Sequence, residues 1–215
     1  MESCAGVCVD QSVPRIVAIL RGVVNREMVP RSLRLARAGE PLYHCCVSAA
    51  LPPGDESRPT TLVLGVGNAM KCDDGVGPYV AGRLSAMACS ASSDAALHLS
   101  AIDCGTTPEN HTSVVRRLRP DLLVIVDAAD MGLAPGDCRI IPPERAGSLG
   151  LSTHSMPLSL FVSYVSDLAS RIVLVGVQPR TMVLGSHLSR EVLEAGDALV
   201  ETLLRGGLES VPRLD

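Results

Sequence analysis

Thr61 to Val80 reads TLVLGVGNAMKCDDGVGPYV, and its pattern changes halfway along. TLVLGV is a continuous apolar run, as a strand buried on both faces of a parallel sheet reads. GVGN then breaks the run, two adjacent aspartates follow at Asp73 and Asp74, and from Asp74 to about Met87 the spacing predicts a helix. Strand, glycine loop and helix in that order open a strand–helix–strand unit. Such a loop either cradles phosphate or presents carboxylate to something positive.

The phosphate reading fails on spacing and on sign. Gly65-Val66-Gly67 follows a strand as a dinucleotide fingerprint requires, but the third glycine belongs at position 70, where the chain has Met70. Gly75 and Gly77 come too late to restore the spacing. Asp73-Asp74 sits where a pyrophosphate needs positive potential, and no GK[ST] follows the glycines.

Outward from this stretch, strand and helix patterns alternate. LHLSAID predicts a second strand, and Thr107-Pro108-Glu109 predicts a helix start with Thr107 at the cap and Pro108 in the first turn. DLLVIVDA is the strongest strand signal of the chain. CRIIP predicts a short strand, SMPLSLFVSYVSDLA a helix, RIVLVGVQP a further strand and SREVLEAGDALVETLLRG an amphipathic closing helix. The alternation implies an α/β three-layer sandwich with a mostly parallel central sheet, phosphorylase/hydrolase-like in layout, over residues 61–215. Residues 1–60 differ. SVPRIVAILRGVV predicts a short helix capped by Ser12, and LPPGDESRPT reads as a proline-rich linker, so 1–60 is expected to be a poorly ordered N-terminal extension and linker with no chemistry of its own, the alternative being a partner-docking arm.

Bulk properties narrow the class. Of 215 residues 47% are hydrophobic, with one Phe, three Tyr and no Trp, so the core is aliphatic. The formal net charge of −4 argues against a nucleic-acid binder. No apolar run reaches the ~20 residues that span a bilayer, and no signal peptide is legible, so a cytoplasmic protein without membrane insertion is expected. The eight cysteines contain no CxxC pair, which indicates reduced thiols rather than disulfides or a zinc ribbon.

In an open parallel sheet ligands bind beyond the carboxyl ends of the strands. The first strand leads there to Asp73-Asp74, the second to Asp103, the third to Asp127, and a later loop carries Thr153-His154-Ser155. Crowded carboxylates require a proton or cation to offset their repulsion, and Asp with His suits a borderline divalent ion such as nickel or zinc. Each residue also has a duller reading. Asp74 is equally placed to cap its helix, Asp103 to bond turn amides, His154 to sit satisfied in its loop and Asp130 to shape a turn. Asp127, buried at the end of VIVD, resists a purely structural explanation.

GVGNAMKCDDGVGPYVAGRL, DCGTTPEN, LRPDLLVIVDAADMGLAPGDCRIIPPE, STHSMPLSLF and LVGVQP together resemble the [NiFe]-hydrogenase maturation endopeptidases. Within these the likeness is greatest to the branch acting on the large subunit of the formate-hydrogenlyase hydrogenase. It runs in unbroken order from about Thr61 to Arg205. The resemblance implies a metal-binding and catalytic set of Asp74, Asp127 and His154. It implies substrate contacts at Gly67, Asn68, Asp103 and Gly105, although Cys104 stands where glycine is frequent in the family. It further implies removal of a C-terminal peptide from the immature large subunit once nickel is in place. The nickel is presented by that substrate, and zinc or cadmium stand in for it in the isolated protein. The protease is expected to be a monomer that docks transiently. Whether the cut is metal-assisted or of aspartic type stays open, and the alternative is a nickel-dependent chaperone that binds the same subunit without cutting it.

Overall fold

The computed structural model describes residues 60–88, 98–142, 145, 150–151 and 157–215. The expectations for residues 1–59, including the Ser12-capped helix, and for Thr153, His154 and Ser155 lie outside the described residues. The elements run β1 (Thr60–Val66), α1 (Val76–Ala88), β2 (His98–Gly105), α2 (Thr112–Leu118), β3 (Leu122–Asp130), β4 (Cys138–Ile141), β5 (Gly150–Leu151), α3 (Leu158–Val165), β6 (Arg171–Val177) and α4 (Arg190–Leu204).

The central sheet has the order β2-β1-β3-β6-β4. β1 pairs parallel with β2 and β3, and β3 pairs parallel with β6. β4 alone on this path runs antiparallel, at the edge beside β6, while the two residues of β5 pair antiparallel with the end of β3. Continuous apolar runs are thus explained: β1, β3 and β6 have neighbours on both sides and helices above and below. Val63, Val124, Val126, Val173 and Val175 pack against Val76, Val80 and Leu84 of α1 and Val192, Leu199 and Leu203 of α4. The opposite face, with Leu62, Leu64, Leu123, Ile125 and Leu174, packs against Val115 of α2 and Phe161 and Val165 of α3. The three-layer α/β sandwich read from the alternation is the observed architecture.

From β1 the chain crosses through α1 to β2 on one side, then through α2 to β3 on the other side of β1. The order therefore reverses between β1 and β3, where open α/β sheets leave a crevice for ligands. Two glycines seat α1 there. A Cβ on Gly65 would lie 2.1 Å from the Gly77 carbonyl oxygen, and one on Gly77 would lie 2.1 Å from the Val66 oxygen and 2.5 Å from that of Val126. Only hydrogen at both positions lets the first turn of α1 rest directly on the carboxyl ends of β1 and β3.

Two helix starts differ from expectation. The turn Cys72–Gly75 is a 3-10 turn that precedes α1, and Pro108–His111 is another that precedes α2. Thr107 holds the position before its turn but makes no capping bond. Its hydroxyl accepts instead from the Asn110 side chain at 3.1 Å.

Candidate active site

The loop from Gly67 to Asp74 is built by its own polar groups. Gly67, at φ 136°, adopts a backbone closed to other residues, and a Cβ there would strike the Asp74 carbonyl at 1.9 Å. Its N–H donates to the Gly105 carbonyl at 2.9 Å, tying the end of β1 to the end of β2. Asn68 Oδ1 accepts from the Met70 N–H at 2.9 Å, and its carbonyl accepts from the Lys71 N–H at 2.9 Å, a side-chain-closed turn typical of asparagine.

This turn delivers two adjacent carboxylates to different ends. Asp73 is fully buried and saturated: Oδ2 accepts from the N–H groups of Arg180 (2.8 Å) and Thr181 (3.0 Å) and from the Ser189 hydroxyl (3.0 Å), and Oδ1 accepts from the Ser189 N–H (2.5 Å). Asp74 is 3% exposed. Its Oδ2 accepts from the Asn68 N–H at 3.1 Å, while Oδ1, equally buried, has no hydrogen-bond partner among the described residues. Helix capping does not account for Asp74, since its bond runs back to the glycine loop rather than forward to α1.

Asp127 is fully buried at the carboxyl end of β3, one residue beyond the Val126 that pairs with Gly65. Strand alternation sets it in the row of Leu123, Ile125 and Ala129, facing the α2–α3 layer. Its register partner on β6 is Gly176, which carries no side chain. A carboxylate in an aliphatic row is costly to bury without compensation. Asp74, in the turn that follows β1, and Asp127, near the end of β3, thus belong to the two strand ends that flank the reversal in strand order. Among the described residues no group of three or more His, Cys, Asp or Glu could hold a metal ion, and His154, the third member of the expected set, lies outside those residues. The buried, unbonded Oδ1 of Asp74 fits a cation or a proton donor arriving from outside. Oxygen donors of this kind, joined by imidazole, suit nickel or zinc.

Gly67, Asn68, Asp103 and Gly105, with Ala69, Pro78 and Thr106, line one depression of about 240 Å³ beside the acidic turn. Asp103 is exposed, and its Oδ1 accepts from the Gly105 N–H at 2.9 Å, the turn bond weighed for it above. Asp130 likewise serves a turn: Oδ1 accepts from Gly132 N–H (3.4 Å) and from the Gln178 amide (3.2 Å).

Two of the described thiols, Cys104 and Cys138, are poorly suited to act as nucleophiles. Burial pushes the Cys104 thiol far above its ordinary range, reinforced by Asp103 and Glu109, and burial raises that of Cys138 to about 12. Burial lowers the His111 pKa, against a smaller opposing pull from Asp103.

The sequence reading missed the function of two residues. Asp73 was seen only as half of an acidic pair. Gln178, buried after β6, receives the N–H groups of Met131 (2.7 Å) and Leu133 (3.1 Å) on Oε1 and so shapes the loop beyond β3. The signal for Asp73 was available in part, since two neighbouring buried carboxylates rarely do the same work; its partners more than a hundred positions away were not.

A glycine-closed loop and buried carboxylates at the reversal point of a parallel sheet suit an α/β protein of hydrolytic type. Comparison with known proteins makes this definite. The profile of the HycI hydrogenase maturation proteases matches residues 84–206. The hydrogenase 3 maturation protease of Escherichia coli is 34% identical over 145 residues, covering 67% of this chain and 88% of that protein. The solution structure of the endopeptidase HycI from Escherichia coli superposes with a TM-score of 0.61 at 32% identity, over 73% of this chain and 97% of that one. The crystal structure of the [NiFe] hydrogenase maturation protease HycI from Thermococcus kodakarensis superposes with a TM-score of 0.60 at 29% identity, over 70% and 94%. The chain belongs to the HycI hydrogenase maturation protease family, and is therefore a peptidase by family.

Proposed function

We propose that this protein is an endopeptidase that removes a C-terminal peptide from the immature large subunit of a [NiFe]-hydrogenase after nickel has been inserted. The observation that carries the reading is Asp74 Oδ1, a buried carboxylate oxygen without a hydrogen-bond partner among the described residues, on a loop that borders the depression described above. Nickel enters as part of the substrate, and Asp74, Asp127 and His154 are the residues that would meet it. Held by these residues, a divalent ion would polarise a neighbouring carbonyl or water.

The chain's own residues supply the rest. Gly67, Asn68, Asp103 and Gly105 line the cleft along which the substrate backbone lies. Asp74 Oδ1 takes the proton released when water adds its oxygen to the scissile carbonyl carbon. A carboxyl group then returns a proton to the departing nitrogen as the C–N bond breaks, so one water is consumed for one bond cut. Asp127, rigid in β3, fixes the other side of the site.

We place the reaction in the cytoplasm, on a monomer that docks transiently. Among the described residues Cys72, Cys104 and Cys138 are free thiols, and no helix there is long and apolar enough to cross a membrane. Incubating the protein with purified immature large subunit, with and without nickel, tests the proposal by intact mass. A subunit shortened at its C-terminus only when nickel-loaded supports it. A stable complex with full-length subunit identifies a non-cleaving chaperone instead.

A further inference from the structure

Beyond β6 the chain forms a second loop, Arg180–Ser189, that is anchored along much of its length to the acidic turn. Asp73 holds it by the four bonds to Arg180, Thr181 and Ser189. The Gly185 N–H donates to the Met70 carbonyl (2.9 Å), the Cys72 N–H donates to the Gly185 carbonyl (2.8 Å), and the Asp73 N–H donates to the Thr181 carbonyl (3.1 Å). Gly185 packs so tightly that a Cβ there would lie 2.6 Å from Cys72 Sγ, and Cys72 itself takes a left-handed backbone at φ 46°.

What this anchoring displays is apolar. Met70 is 68% exposed, Val183 65% and Leu184 82%, with Met182 beside them. The backbone pairing at Gly185 sets Met70 alongside Leu184. The stretch Thr181–Ser189 contains no carboxylate and no arginine. Side chains of this size are ordinarily withdrawn from water, and a contiguous exposed group of them marks an interaction surface. Loops that display apolar tips by chance are usually loose; this one is fixed before anything binds, which lowers the ordering cost of association.

We infer that Met70, Val183 and Leu184 form a preordered docking tip for an apolar segment of the substrate polypeptide, next to the acidic turn. The assignment rests on the endopeptidase reading above. It commits to the substrate chain because the tip is continuous with the acid-bearing loop. Met70 lies two residues from Asn68, whose N–H holds Asp74 Oδ2. Met70 also adjoins Ala69, which lines the depression, so a polypeptide bound in that depression has the tip beside it. Contacts remote from the cut help to position the bond that reacts.

The test is the double variant Val183→Ser/Leu184→Ser, with Leu160→Ser on the exposed face of α3 as control. Cleavage kinetics on nickel-loaded immature large subunit are measured together with direct binding of that subunit. The double variant is expected to raise KM and weaken binding by about tenfold or more at unchanged kcat, from lost apolar burial. Leu160→Ser is expected to change neither. Unchanged KM and binding in the double variant would overturn the docking tip while leaving the protease reading intact. Absence of cleavage by the wild type sinks the protease reading, and the binding comparison then decides the tip by itself. Self-association of the wild type that the double variant abolishes, seen by sedimentation, would assign the tip to a second copy and likewise overturn it.

Discussion

Asp73 and Asp74 are consecutive and both buried, yet the first accepts four hydrogen bonds and the second leaves one oxygen unbonded among the described residues. Adjacent carboxylates of identical chemistry are thereby given opposite work. One fastens two loops together, and the other is the one the proposed reaction assigns to the substrate.

Replacing each by asparagine separates these functions. An amide at position 73 keeps one oxygen but turns its N–H₂ toward a donor, so Asp73→Asn is expected to cost about 1–3 kcal/mol of stability. Asp74→Asn removes the charge from a site with unmet bonding capacity and is expected to change stability by less than about 1 kcal/mol while abolishing cleavage. Urea midpoints of the two variants check the difference. Equal destabilisation would show that Asp74 is as structural as its neighbour.

The close seat of α1 on the sheet gives a second prediction. Gly65→Ala and Gly77→Ala each force a methyl against backbone oxygen at 2.1 Å, atoms that have no rotamer by which to withdraw. A loss of at least about 1–3 kcal/mol is expected for each by thermal or chemical unfolding. Gly82→Ala is the control, since a Cβ there meets nothing within 4 Å, and it is expected to be neutral or stabilising.

Thiol accessibility gives a third. Alkylation under native conditions at neutral pH is expected to spare Cys104 and Cys138, whose thiols burial holds protonated, and to reach them only after unfolding. The sign is simple: a raised thiol pKa reduces the thiolate fraction at neutral pH. Peptide mass spectrometry of partially labelled protein reads it. Rapid native labelling of Cys104 would contradict the packing described for the end of β2.

The fold was legible where burial is two-sided. β1, β3 and β6 announce themselves as unbroken aliphatic runs because helices cover both of their faces, and their carboxyl ends fix where a site must lie. The two-residue β5 left no pattern, and the antiparallel sense of β4 depends on pairing that a single strand does not encode. Asp127 stood out because it interrupts an aliphatic row. The use of Asp73 did not, since its partners lie between Arg180 and Ser189, brought near only by the return of the chain through β6. Likewise the capacity of Thr107 to cap was readable, but the preference of Pro108–His111 for a 3-10 turn, which leaves that cap unused, was not.

In the proposed reaction, carboxylate at the reversal point of the sheet cuts a peptide bond in a hydrogenase subunit. The most direct measurement is the intact mass of nickel-loaded immature large subunit after incubation with wild type, Asp74→Ala, Asp127→Ala and His154→Ala. Loss of a C-terminal peptide with the wild type, and an unshortened subunit with each variant that circular dichroism shows to be folded, is the predicted result. An unshortened subunit with the wild type, or shortening at wild-type rate by all three variants, would contradict it.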